Sequence, residues 1–157
     1  MPTHNPFTPP TAGISQPPDP TPGSPWKAVL LGLLVDIGGS TVAGIPYAVV
    51  YSMYLASSGM DAEEIVALLQ APPEASPYLW IGYGIGSLFS ILGGYVCARI
   101  AKRAEYQLAS LMAALSALFG VLMVWGHYSL QMSVAVALLS FSCVLLGAHL
   151  GRLKNQR

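Results

Sequence analysis

Asp36 is the residue of this chain best placed to do chemistry. It stands inside an apolar run from about Ala28 to Ala56, nine residues past Lys27, in the string Asp36-Ile37-Gly38-Gly39-Ser40-Thr41, the most polar stretch in any of the apolar runs. If that run crosses a bilayer as a helix, nine residues put the carboxyl roughly 13 Å into the membrane. An acid at such depth costs about 2.5–3.5 kcal/mol on insertion scales, which makes it a functional candidate by default. Side chains lean toward the N-terminus of their own helix. Asp36 therefore leans back toward the end its helix starts from. Arg99, His149 and Arg152 lie near the ends of helices that arrive there, and lean inward to meet it, with Tyr95 one turn deeper than Arg99. The expected intramembrane polar network is Asp36, Ser40, Tyr95, Arg99 and His149. It admits two chemistries. A buried Asp36–Arg99 pair, or a protonated Asp36 bonded to a carbonyl, would hold helices in register. Alternatively, Asp36 would relay a proton or cation. One acid without a second ionisable group at its depth makes a poor pathway, which favours the structural role.

No other constellation suggests catalysis. The chain has no HExxH, no P-loop and no Ser/His/Asp or Cys/His set matched in depth. Gly82-Tyr83-Gly84-Ile85-Gly86 is Gly-rich but lies inside an apolar run, so it reads as packing. Cys97 and Cys143 are flanked by small or apolar residues and lack a neighbour at metal-ligand spacing, so both read as core residues. His127 falls at the end of a run, where a solvated role is expected. No catalytic residue, metal or cofactor is expected, and the chain reads as a non-enzyme.

The elements that position Asp36 follow from composition and charge placement. Of 157 residues 54% are hydrophobic and 9% charged, against about 25% charged in a soluble domain. Net charge is zero, leaving no basic face for nucleic acid. Four long apolar runs predict helices at about 28–56, 77–102, 105–126 and 130–152. All seven Lys and Arg lie on one side of them: Lys27 before the first, Arg99, Lys102 and Arg103 between the second and third, and Arg152, Lys154 and Arg157 after the fourth. The loop between the first two runs carries Asp61, Glu63, Glu64 and Glu74 instead. This one-sided pattern predicts a multi-pass protein of a bacterial inner membrane with both termini in the cytoplasm. The fold class expected is all-α, a membrane-embedded four-helix bundle at 26–157.

Residues 1–25 hold nine of the thirteen prolines; such a segment cannot bury a core and is expected to be a disordered cytoplasmic tail. Asn5-Pro6-Phe7 is its one conceivable docking element. No cleaved signal peptide is expected, because no charged segment opens the chain and the first run is too long. Pro46 should kink the first helix. A short amphipathic helix is expected in the first outer loop, with Asp61 as N-cap, Ile65, Leu68 and Leu69 as its apolar face, and Pro72-Pro73 as its stop.

Small residues recur every fourth position in the first two runs. Gly32, Gly44, Gly82, Gly86, Ser90 and Gly94 are the expected helix-packing positions, because small-xxx-small stripes let backbones approach. The stripes serve one bundle, or alternatively a homo-oligomer or a membrane-protein partner. Gly94-Tyr95-Val96-Cys97-Ala98-Arg99 is echoed by Gly147-Ala148-His149-Leu150-Gly151-Arg152, which suggests a weak parallel repeat.

The segment GGYVCARIAKR, the head HNPFTPP and the first run KAVLLGLLVDIGGS resemble a pattern of uncharacterised small bacterial four-helix integral membrane proteins. The resemblance spans most of the chain and implies the four-helix fold; it carries no activity. Small multidrug-resistance transporters are an analogy only: they also have four helices and one carboxylate in the first, but theirs is a Glu, and no residue is carried over. Function is thus expected to be structural, accessory or sensing, the alternative being an oligomeric proton- or cation-coupled small transporter using Asp36. The topology is the part most directly open to measurement. A reporter fused after Arg157 should be active only if cytoplasmic, and one inserted at Gly59 only if periplasmic; the reverse pattern overturns the orientation.

Overall fold

The computed structural model describes residues 23–123 and 128–156. The proline-rich tail before Gly23, and the expected end of the third helix at Trp125 to His127, lie outside the described residues. The regular elements among those described are all helices, with no strand. Four helices are long and apolar enough to cross a membrane.

The first is a continuous span, Pro25–Ser57. At 1.5 Å per residue it is roughly 50 Å long, well over the ~30 Å hydrocarbon core. It begins at Pro25, whose missing N–H is no loss in a first turn. It comprises α1 (Pro25–Leu33), a single π-helical turn (Leu34–Gly38) and α2 (Gly39–Ser57). α2 continues through Pro46, and a departure from α geometry that the sequence did not announce is the wide turn around Asp36. There Ser40 donates to the Asp36 carbonyl at 2.5 Å and Thr41 to the Ile37 carbonyl at 2.7 Å, so hydroxyls one turn on occupy carbonyls at the irregularity.

Gly59, at φ 92°, turns the chain where a side chain would be strained. A short helix, α3 (Ala62–Gln70), follows, its first turn capped by the Asp61 carboxylate accepting from the Glu64 N–H at 2.9 Å. Then come α4 (Pro77–Ala101), α5 (Glu105–Met123) and α6 (Leu130–Asn155). The α4–α5 turn places Lys102 and Ala104 at φ 55° and 54°.

α4 is the central element and touches every other span. Its Gly93-Gly94 dipeptide is the pinch point. A Cβ on Gly93 would stand 2.7 Å from the Gly32 carbonyl oxygen of α1, and one on Gly94 2.1 Å from the Val144 carbonyl oxygen of α6. The α6 side is reciprocal, since a Cβ on Gly147 would stand 1.9 Å from the Ile91 carbonyl oxygen. Gly151 meets Tyr95 and Ala98 in turn, so α4 and α6 run parallel, and the two echoing sequence segments cross each other. Gly32 against Gly93 and Gly39 against Phe89 show that the first span runs antiparallel to α4. Met112 of α5 lies over the Gly32–Gly93 crossing, fully buried.

These contacts gather the Lys and Arg among the described residues at one end, here the basic end, with α3 at the other. Apart from Leu55, the buried residues of the four spans lie in their basic-end halves: Ala28 to Asp36, Ser90 to Ala101, Ala109 to Ala113, and Val144 to Gly151. The bundle is tight at the basic end and splayed at the other. The splayed α2 is held to the start of α4 by an aromatic clasp instead. Tyr78 stacks on Tyr47 and Tyr51 at 5.1 and 4.7 Å, and the Tyr47 hydroxyl donates to the Tyr78 carbonyl.

The splay corrects the expected packing positions. Gly32, Ser90 and Gly94 are buried in helix contacts, whereas a Cβ on Gly44, Gly82 or Gly86 would meet nothing within 4 Å. Replacing Gly94 or Gly147 by Ala should therefore lower stability by about 1–3 kcal/mol, through overpacking against backbone. The same change at Gly44 or Gly86 should be neutral, or stabilising by up to about 1 kcal/mol through helix propensity. Unfolding of the four variants in one detergent ranks them directly; equal losses at all four would contradict the splayed arrangement.

Candidate functional site

The polar site forms where the tight half of the bundle ends. Asp36 is 3% exposed, and each carboxylate oxygen accepts one hydroxyl. Ser90 of α4 donates to Oδ1 at 2.8 Å, and Ser116 of α5 donates to Oδ2 at 2.6 Å. Three elements thus meet on one side chain. Their register follows from distance along each helix: Asp36 is nine residues from Lys27, Ser90 nine from Arg99 and Ser116 eleven from Glu105. At 1.5 Å per residue all three lie roughly 13–17 Å from the basic end.

Above this floor lies a cleft of about 260 Å³, bordered by Asp36, Ser40, Thr41, Ser87, Ser90 and Ser116 as well as by Gly82 and Gly86. The absent side chains of the two glycines help to keep it open. A second cavity of about 120 Å³ adjoins it, sharing Tyr83, Ser116, Gly120, Val136 and Ser140, and reaching Tyr128 and Ser133.

The hydroxyls around the floor are oriented. Ser90 and Ser116 spend their protons on the carboxylate, Ser40 and Thr41 theirs on backbone carbonyls. A serine or threonine hydroxyl has one proton to donate and two lone pairs, and an ionised carboxylate has about four acceptor positions. With the four protons committed, what these groups have left to offer is lone pairs. Immediately around the carboxylate such a floor suits a proton or an ammonium group better than an anion.

The expected network is otherwise corrected. Only Asp36 and Ser40 of its five members are together. The Arg99 guanidinium donates to Asn155 Oδ1 at 3.0 Å, on an exposed face. His149 Nδ1 shares a hydrogen with the Tyr106 hydroxyl at 2.8 Å, and the Arg152 guanidinium lies over the Tyr106 ring. Tyr95 offers its backbone to Gly147 and Gly151. The physical reason is depth. Arg99 and His149 are only a turn or two from their helix ends, so polar partners at the basic end are nearer to them than Asp36. Ser116 was missed by sequence reasoning because nothing in the third run singles it out; matching its depth to that of Asp36 is the signal that finds it. Among the described residues no group of three or more His, Cys, Asp or Glu is arranged to hold a metal.

At the splayed end, Glu74 Oε1 accepts from the Ser129 N–H at 2.9 Å, and Ser129 caps α6 by accepting from the Met132 N–H. The bond from the Ser129 backbone holds the Glu74 carboxyl below its usual range. Tyr128, beside the cavity, is pushed up, first by burial and then by the charges of Tyr78 and Glu74. No known family, curated protein or solved structure matches this chain.

Glu74 generates a pH dependence of defined sign. Its folded pKa is lowered, so its contribution is fully present above the unfolded value, about 4.3 for a free Glu, and is lost as pH falls through the folded value. Wild type should unfold at a higher temperature than Glu74→Gln near neutral pH, and the gap should close below about pH 4. A gap that widened on acidification would contradict the anchor.

Proposed function

We propose that this chain is a multi-pass protein of a bacterial inner membrane, both termini in the cytoplasm, in which the Asp36 cleft takes up a proton or small cation. The observation that carries this reading is the committed hydroxyl set: a buried carboxylate with two serine donors, no basic side chain among the described residues hydrogen-bonded to it, and a cleft whose floor offers lone pairs. The one-sided placement of Lys and Arg supports a cleft that opens outward. A proton or cation entering from the outer side reaches Asp36 along hydroxyls and stops at the tight half of the bundle, where the glycine crossings leave no room. Passage to the inner side needs that half to loosen, which is the work of a coupled transporter. We assign no bond-making chemistry to the chain.

A second reading has its own observation. Asp36 joins three helices through two hydrogen bonds, so it also serves a purely structural or accessory bundle, with no traffic through the cleft.

Asp36→Asn separates the two. The amide keeps an acceptor oxygen and the shape but loses the titrating charge. For the coupled reading, protein in liposomes carrying a trapped pH dye should dissipate an imposed pH gradient faster than empty liposomes. Asp36→Asn should remove that excess while keeping the fold. Ser90→Ala or Ser116→Ala should slow it and cost about 1–3 kcal/mol, since a buried acceptor is left without its donor. Wild-type rates equal to empty liposomes, under gradients of protons, sodium and potassium alike, favour the structural reading.

A further inference from the structure

The opposite end of the molecule carries a site that the Asp36 cleft does not use. Arg99 of α4 and Leu150, Leu153 and Lys154 of α6 line a depression of about 500 Å³ at the basic end. All four side chains are exposed, and no acid among the described residues lines it. The nearest acid by hydrogen bonding, Glu105, is engaged by the Asn155 amide at 3.2 Å. The same amide nitrogen donates to the Ala98 carbonyl at 2.9 Å, while Asn155 Oδ1 accepts from Arg99. One asparagine thus ties α6 to the end of α4 and holds one face of the guanidinium. Arg99 is pre-positioned, with N–H groups to spare, because a guanidinium carries five donors.

The surface below the two cations is apolar in a particular pattern. On α6, Leu139, Leu146, Leu150 and Leu153 are exposed, and their spacing puts them on one face. From Leu139 to Leu153 this strip is roughly 21 Å long, more than one leaflet's ~15 Å share of the hydrocarbon core. On α4, Leu88 and Leu92 are exposed eleven and seven residues before Arg99, again on its face. Because α4 and α6 are parallel and drawn together at Gly94 and Gly147, the two strips flank one groove. Its head is cationic and its length is apolar, a distribution complementary to an anionic amphiphile.

We infer that this groove binds one anionic phospholipid of the cytoplasmic leaflet, its phosphate between Arg99 and Lys154 and its acyl chains along the two leucine strips. Basic depressions between helices at the cytoplasmic side suit such headgroups. Arg99 supplies direction, since its planar fork matches phosphate oxygens, while Lys154 supplies charge. The inference rests on the membrane reading but not on any role for Asp36, so the liposome flux result leaves it untouched.

The test uses the full chain in uncharged detergent, with phosphatidylglycerol and phosphatidylcholine of matched chains added, and counts retained lipid by native mass spectrometry. One phosphatidylglycerol should be retained in preference to phosphatidylcholine. Arg99→Gln and Lys154→Gln should each weaken it about fivefold, and the double variant about thirtyfold, as expected for losing one and two surface cations. Leu150→Ser should weaken it without changing charge, and Lys102→Gln, exposed at the same end, should leave it within twofold. Thermal unfolding checks each fold; if Arg99→Gln does not fold, Lys154→Gln and Leu150→Ser carry the same expectation. Equal loss in Lys102→Gln would mean unspecific charge attraction and overturn the site. So would displacement by millimolar inorganic phosphate with Leu150→Ser unaffected, which would mark a free-anion site. Equal retention of the two lipids would overturn it outright.

Discussion

Everything in this molecule depends on how closely α4 can be approached from two sides at once. Adjacent residues on a helix point about 100° apart, so Gly93 and Gly94 face different neighbours. Both lack a side chain, so α1 and α6 press onto α4 at the same level. In lipid there is no hydrophobic drive between helices, and close packing of small residues takes its place. The pinch also brings Asp36, one turn from Gly32, within hydrogen-bonding distance of Ser90, one turn from Gly94. A Cβ on Gly93 would press on the Gly32 carbonyl and on Asp36 itself, whereas one on Gly94 would press on α6.

Beyond the pinch the physics reverses. A wide π turn at Leu34–Gly38 re-aims the first span, and α2 departs from α4 until the tyrosine clasp regains it. Turns of this kind are rare and recur at functional sites. Here the turn carries the buried acid itself. The separation of a tight half from an open half gives the cleft its floor, and the floor gives the carboxylate a surrounding of oxygen atoms instead of cations. Had Arg99 reached Asp36, the pair would have been neutral and inert toward a proton. Asn155 and the basic end keep Arg99 elsewhere.

The two ends thus present different chemistry from one short chain. The splayed end exposes lone pairs and suits cations. The basic end exposes guanidinium and ammonium groups above leucine strips and suits an anionic headgroup. The same glycine contacts produce both, since they close the bundle between the ends and align α4 with α6.

By itself the sequence determined the four long apolar helices, the close positions of their described ends, the Asp61 cap and the candidates Asp36, Gly32, Ser90 and Gly94, all of which are buried. Each follows from short-range rules: apolar run length, capping chemistry, the cost of a charge in hydrocarbon, and the need for small residues where backbones meet. The π turn, the splay and the partners of Asp36 were decided only in three dimensions. A four-residue stripe does not say where it stops being used, so Gly44, Gly82 and Gly86 looked the same as Gly94 until α2 was seen to diverge. The lean of side chains suggested Arg99 and His149 for Asp36, but lean gives direction, not reach, and both found partners nearer their own helix ends. Ser116 became a partner because α5 turns that face toward the first span, a rotation that no periodicity within α5 encodes. Local chemistry is written along the chain; which faces meet is set by the packing of all four helices together.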